Sequence, residues 1–449
     1  MQKRISYLAA GVFAALSLSA PPATAQQRIS FVRDAEVENT IRAYATPLFL
    51  AAGLDASAIT VHLVNDTALN AFVANGLNMY INTGLLMRSE NAGQVIGVIA
   101  HETGHIMGGH LARLRDGLNG ALAESIVALV VGAAAAIASG RPDAGAAVIA
   151  GGLQVAERGI LRYSRELESA ADQAGLTLLD RTGQSARGLE EFLGVLADQE
   201  LLATGRQDPY VRTHPISRER VEFIHNFNQT ARYVNTPLKP GFAAMHSRMR
   251  AKLMGYLEPA NTFRFYPENS RTIDARYAQA IAYSRRPDYS RALALMDSLI
   301  VEYPNDPYFL DTKAQMLFEA GRPAEALPLL EKAVKLAPDA ALIRIALAQA
   351  QLELGTPELN KAAIMNLESA RLHENENREL WRMLSVAYGR DGQLGMVALA
   401  QAERALLSGR RVEARVLAER AEKELAAGSP GWLRAQDIRQ ATQKPGTTN

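Results

Sequence analysis

Residues 101–105 read His-Glu-Thr-Gly-His, and a third histidine follows at position 110. Four positions on an α-helix make about one turn, so His101 and His105 share a face and both imidazoles can reach one ion. Glu102 is rotated by about 100° from His101, close enough to address water at that ion without ligating it. Two imidazoles with an adjacent carboxylate as general base suit zinc-dependent hydrolysis. The preceding segment, AGQVIGVIA, is apolar enough to bury the helix, where ionisable groups are costly unless they serve a function. Two surface histidines on a helix would give the same letters, so the third ligand decides.

His110 is one candidate. Helical periodicity runs from Asn91 to Arg115, and on a continuous helix His110 lies about 180° from His101 and points away. It also falls one residue short of the third histidine of a metzincin. It therefore reads as a packing or supporting histidine. The other candidate is Glu168, in a segment over 163–179 that reads as a second helix. Glu168 and Asp172 lie four apart on one face, and Ala171 and Gly175 keep that face slim enough to approach the first helix. Glu168 would complete a site of two histidines and one glutamate with an open position for water. Asp172 could then accept the remote N–H of a ligand histidine and fix its tautomer. Glu166 is about 200° off that face and reads as solvated. Without the histidine pair, the two acids would read as an exposed acidic stripe.

The elements around these residues set the fold class, α+β and mostly α. Val37 to about Gly53 reads as a helix, and Ile59 to Leu86 as short strands broken at Asn65-Asp66 and Asn75-Gly76. Asn78–Asn82 alternates apolar and polar residues like a half-buried strand. A strand of that kind beside the motif helix is a natural place for an extended peptide to add itself by main-chain hydrogen bonds. Residues 121–155 carry two apolar runs, each shorter than the roughly 18 residues of a spanning helix. They read as a helical hairpin or lid, with peripheral membrane contact as a further expectation.

Lys3 and Arg4 precede an apolar run and the small residues Ala23-Thr24-Ala25, the pattern of a signal peptide over 1–25 cleaved after Ala25. Loss of Lys3 and Arg4 reduces 48 basic residues to 46 against 47 acidic ones, which excludes a nucleic-acid surface. The chain has no cysteine, so no disulfide supports an exported fold.

From about Ile273 a repeat sets in. Pro304 and Pro338 lie 34 positions apart, the period of tetratricopeptide repeats, and Ala314, Gly321, Ala326 and Ala333 fall where that motif takes small residues. Ala280, Tyr283 and Ala292 match one period earlier. Ala348 and Gly355 match one later, with Ala363 and Ala370 back in step after a three-residue insertion, and Trp381, Tyr388 and Gly392 begin a further unit. Small residues let neighbouring helices cross closely. The expected organisation is a protease domain over 26–262, an α-solenoid of repeats over 270–428, and a flexible tail over 429–449.

The segments NAFVANGLNMYINTGLL, HETGH, YSRELESAAD and THPISRER together resemble the zinc metallopeptidase family that includes the heat-shock membrane protease and the CaaX prenyl protease. With a signal peptide in front and repeats behind, the chain is similar to that family's periplasmic branch. The resemblance implies a zincin-type (gluzincin) domain with a small sheet. It implies one Zn2+ per chain on His101, His105 and Glu168, with Glu102 as catalytic acid/base and Asp172 supporting a ligand. It also implies that His214 approaches the zinc or the substrate oxyanion and that Arg220 holds the site together, although the residues alone would equally place His214 on a surface turn. Its further implications are a periplasmic endopeptidase, peripheral to the outer membrane, that hydrolyses misfolded or stalled outer-membrane proteins. Its repeats would dock the client or the β-barrel assembly machinery, with a chaperone-like role in assembly. The second reading is an assembly chaperone or adaptor whose protease site is latent.

Overall fold

The sheet is mixed, in the order β1 (Phe31–Val32), β2 (Thr60–Val64), β4 (Asn78–Asn82), β3 (Ala71–Ala74). The structure, a computed structural model, describes residues 30–74, 77–110, 165–197 and 209–443. The segment 121–155 and the signal peptide expected over 1–25 lie outside the described residues. β2 runs parallel to β4, while β3 and β1 pair antiparallel with their neighbours. Asn78–Asn82 is therefore an inner strand, and the edge beside it is β3. Alternation shows that a strand has two faces, but strand order depends on how the chain crosses between strands, which alternation does not record.

The register shows what that edge offers. Thr60 N–H bonds the Leu77 carbonyl and Asn82 N–H bonds the Asn70 carbonyl. Odd residues of β4 thus serve β2 and even ones serve β3. Ala71 and Val73 stand opposite Ile81 and Met79, in the non-hydrogen-bonded pairs of an antiparallel ladder, so their N–H and C=O groups turn outward.

Helix α1 (Ala35–Ala51) is capped by Asp34, whose side chain accepts from Val37 N–H. After α2 (Thr83–Arg88), α3 (Ala92–Gly108) carries the histidine motif and is capped by Asn91 accepting from Gln94 N–H. Asn and Asp caps each contribute about 1 kcal/mol by satisfying an otherwise bare donor. Residues 165–181 form α4, followed by α5 (Arg187–Ala197), α6 (Pro209–Thr213), α7 (Arg218–Thr230) and α8 (Phe242–Leu257). One core holds them: Val37, Ile41 and Tyr44 of α1, Met79 and Ile81 of β4, Val95 and Ile99 of α3, Leu176 of α4 and Met249 of α8 are all buried.

The two site helices cross backbone to backbone. A Cβ on Gly104 would stand 2.6 Å from the Ala171 carbonyl oxygen, and one on Gly175 would stand 3.1 Å from the backbone of Ala100 and His101. Only residues this small let α4 approach close enough to deliver a carboxylate to α3.

Ten helices from Ile273 to Thr442 follow as hairpins, with Ala280, Ala314, Ala348 and Ala414 fully buried at their crossings. The flexible tail expected over 429–449 is corrected by the last of these helices, Pro430–Thr442. Ser429 caps it and accepts from Trp432 N–H, and Ala435 and Ile438 pack on Ala414, Ala418 and Ala421. That apolar pair sits in a polar segment and closes a fifth hairpin. Lys252 and Arg248 of α8 pair with Asp34 and Glu36 at the start of α1, at 2.8 and 2.7 Å, and the first repeats dock on this buried charge, Tyr277 donating to Glu36 over 2.7 Å and Arg248 reaching Asp306 at 2.5 Å. Among the described residues, no helix is long and apolar enough to cross a membrane.

Candidate metal centre

The apolar run that buries α3 carries His101 and Glu102 to full burial, with His105 near the helix end. His101 Nε2 and His105 Nε2 stand 3.1 Å apart, and the Glu168 carboxylate meets both at 3.3 Å, one oxygen to each. Donors held about 2.0–2.1 Å from a tetrahedral ion are separated by about 3.3 Å from one another. The triangle of His101, His105 and Glu168 therefore fits zinc in spacing as well as in donor type.

Each donor has a partner behind it. Asp172 accepts from His101 Nδ1 at 2.8 Å, which turns Nε2 inward. Arg220 grips Asp172 with two N–H groups, at 2.6 and 2.9 Å, and reaches Glu168 at 2.9 Å. It also donates to the Pro215 carbonyl at 2.7 Å, tying the loop after His214 to the site. Glu166 is exposed.

The expectation that His110 points away is corrected. α3 stops at Gly108 because Gly109 adopts a left-handed φ of 59°. The chain reverses, and His110 Nδ1 comes to 3.0 Å from His105 Nδ1. A Cβ on Gly108 would overlap the His110 ring, at 2.0 Å from Nε2. His110 thus stands behind His105 as Asp172 stands behind His101.

His214 is buried rather than on a surface turn. Its Nδ1 faces the Glu168 oxygens at 3.2 and 3.3 Å, and its Nε2 donates to the Ala71 carbonyl at 3.2 Å, one of the outward groups of β3. It belongs to the group of four residues whose donor atoms lie within 4.8 Å of one another. With both nitrogens facing acceptors, it serves in this conformation as a hydrogen-bond donor. Tyr210, which sequence reasoning missed, stacks on it at 4.6 Å. The only sequence signal for Tyr210 is an aromatic residue one helical turn before His214.

The electrostatics separate the groups. Burial pushes His105 down to about 4. Burial also lowers His101, but the Asp172 and Glu168 carboxylates outweigh it and hold that imidazole at about 10. Burial alone would raise Glu168, yet the imidazoles of His214, His101 and His105 hold it well below the usual range. Glu102 is raised, because burial is only partly offset by His214 and His101. Among the described residues its carboxylate accepts no hydrogen bond, and His214 Nε2 stands 3.5 Å away.

A paired-histidine helix completed by a carboxylate from a second helix, ahead of stacked helical hairpins, defines a metallopeptidase with a repeat domain. Residues 32–228 match the model of peptidase family M48 and residues 317–358 that of the tetratricopeptide repeat. The chain therefore carries an M48 metallopeptidase domain followed by tetratricopeptide repeats. Among its relatives, the β-barrel assembly-enhancing protease of Yersinia pestis is 26% identical over 375 residues, covering 82% of this chain and 75% of that protein. The protein of the same name from Escherichia coli (strain K12) is 26% identical over 384 residues, with the same coverage. Metalloprotease YcaL of that strain is 31% identical over 169 residues, covering 37% of this chain and 60% of its own length.

Proposed function

We propose that this chain is a periplasmic zinc endopeptidase that hydrolyses misfolded or stalled outer-membrane proteins, with its repeats docking the client or the β-barrel assembly machinery. The observation that carries the reading is the 3.1–3.3 Å triangle of His101, His105 and Glu168 beside the bare carboxylate of Glu102. The assembly context is supported by the names of the relatives that match along most of the chain. Export is supported by the leader sequence, and a mature N-terminus other than Gln26 would count against cleavage after Ala25.

Zinc bound there would supply a Lewis acid toward water and a peptide carbonyl. Glu102 takes the proton of the attacking water and passes it to the leaving amine, a role suited to a carboxylate whose burial raises its basicity. Asp172 and His110 hold the two imidazoles in orientation, and Arg220 keeps Asp172 and Glu168 ionised and fixed. The outward main-chain groups of Ala71 and Val73 receive an extended substrate as an added strand. The test compares the zinc-loaded parent with Glu102→Gln on an unfolded outer-membrane protein: cleavage by the parent alone supports the reading, and equal cleavage sinks it.

A second reading, a chaperone or adaptor with a latent site, is favoured by the position of His214 inside the donor cluster. Rescue of an assembly defect separates the two. Equal rescue by the parent and by Glu102→Gln makes hydrolysis dispensable.

A further inference from the structure

Three buried side-chain atoms without a hydrogen-bond partner among the described residues belong to two residues flanking His214: both carboxylate oxygens of Glu102 and the hydroxyl of Tyr210. The proposed reaction explains the first two, since Glu102 must be free to receive a proton. It leaves the hydroxyl unexplained. The Tyr210 ring is fully buried, stacked on His214 and set edge-on to Phe192 at 5.1 Å. Phenylalanine would make both ring contacts. It would also avoid the desolvation penalty of an unpaired buried hydroxyl. A polar atom kept at such a cost beside a reaction centre calls for a partner that arrives later.

The main chain shows where a partner would arrive. Tyr210 N–H donates to the Leu69 carbonyl at 3.2 Å, and the Tyr210 carbonyl takes the His214 N–H at 2.7 Å. Tyr210 and His214 are thus fastened to the strand leading into the open edge of β3. His214 Nε2 holds the Ala71 carbonyl, which a peptide added to that edge would claim. Substrate addition therefore acts directly on the pair. We propose that the Tyr210 hydroxyl is a further catalytic group, donating a hydrogen bond to the scissile carbonyl oxygen as negative charge develops there. No bond to Tyr210 forms or breaks, and the phenol stays protonated throughout. The inference rests on the peptidase reading of the site.

The test uses full-length, zinc-loaded protein and an unstructured fluorogenic peptide, comparing the parent, Glu102→Gln and Tyr210→Phe. Loss of one such donor is expected to lower kcat by about 100-fold, with KM moving by less than about twofold. Zinc content and Tm should equal or exceed those of the parent, because an unpaired hydroxyl has been removed. A phosphonate transition-state mimic should lose affinity for Tyr210→Phe while an uncleaved ground-state peptide does not. Unchanged kcat in a folded, zinc-loaded Tyr210→Phe overturns the inference while leaving the peptidase reading intact. An inactive zinc-loaded parent overturns both. Should Tyr210→Phe fail to hold zinc, fluorotyrosine at position 210 keeps the shape and changes only donor acidity, and a rate that does not respond to it also overturns the inference.

Discussion

Glu102 and Glu168 are both buried beside His101, yet their surroundings drive them in opposite directions. Three imidazoles hold Glu168 ionised, whereas burial dominates at Glu102, whose oxygens accept no hydrogen bond among the described residues. The first suits a permanent ligand and the second a group that accepts a proton and gives it up. Glu102→Gln is accordingly expected to fold and keep one zinc per chain while its hydrolytic rate falls by about 100- to 10,000-fold, as read by metal analysis beside a peptide assay. Glu168→Ala should lose the zinc itself, with metal content near zero after dialysis and activity lost in parallel. At this scale the sequence is informative wherever geometry is local, since four-residue spacing alone puts His101 with His105 and Glu168 with Asp172. It gives His110 a supporting role but the wrong direction, because its approach to His105 hangs on the left-handed turn at Gly109, and it is silent on Tyr210, which no spacing rule selects.

The elements are held together at a few points of close contact. α3 and α4 meet where Gly104 faces the Ala171 carbonyl, and a methyl group there would have to displace backbone rather than a mobile side chain. Gly104→Ala is expected to lower stability by about 1–3 kcal/mol and to weaken zinc affinity by pushing Glu168 away from the imidazoles, measured by denaturant unfolding and metal titration. Arg220 faces the same crossing from α7. Removing its charge with Arg220→Met leaves Glu168 and Asp172 buried without their cation, at a cost of about 3–5 kcal/mol, and unfolding midpoints in urea check this. The slim face made by Ala171 and Gly175 is legible in the sequence, because small residues spaced four apart on a helix align. The order of the strands is not, because β4 alternates, β3 is apolar throughout, and nothing in their letters says which lies outside.

Across the whole molecule, the protease domain and the repeats meet over a buried ionic cluster. Asp311, on the repeat side, is fully enclosed there. Burial raises its carboxyl, the nearby charges of Asp34 and Glu36 add to that against the pull of Lys252, and the result is about 7. The folded protein therefore keeps this proton at pH values where an unfolded aspartate, titrating near 3.9, has lost it. Stability from this group is present below about pH 4 and is lost as pH rises toward about 7. Asp311→Asn removes the titration, so its Tm advantage over the parent should grow between pH 4 and 7 and then level off. A difference that stays flat across that range would count against the assignment. The 34-residue period makes most of the solenoid legible, since its alanines recur in phase. The last helix escapes because only two of its apolar residues, Ala435 and Ile438, are buried, in an otherwise mostly polar stretch.

The outward groups of Ala71 and Val73 carry a consequence for what such an enzyme would spare. Amides and carbonyls are the same in every protein, so a sheet edge of this kind is blind to composition and ranks clients by how much of their time they spend uncoiled. On the proposed reading of its clients, a chain that has reached its native barrel has no free segment left to lend. One that has stalled keeps offering the same stretch, and the delay itself becomes the mark by which it is chosen.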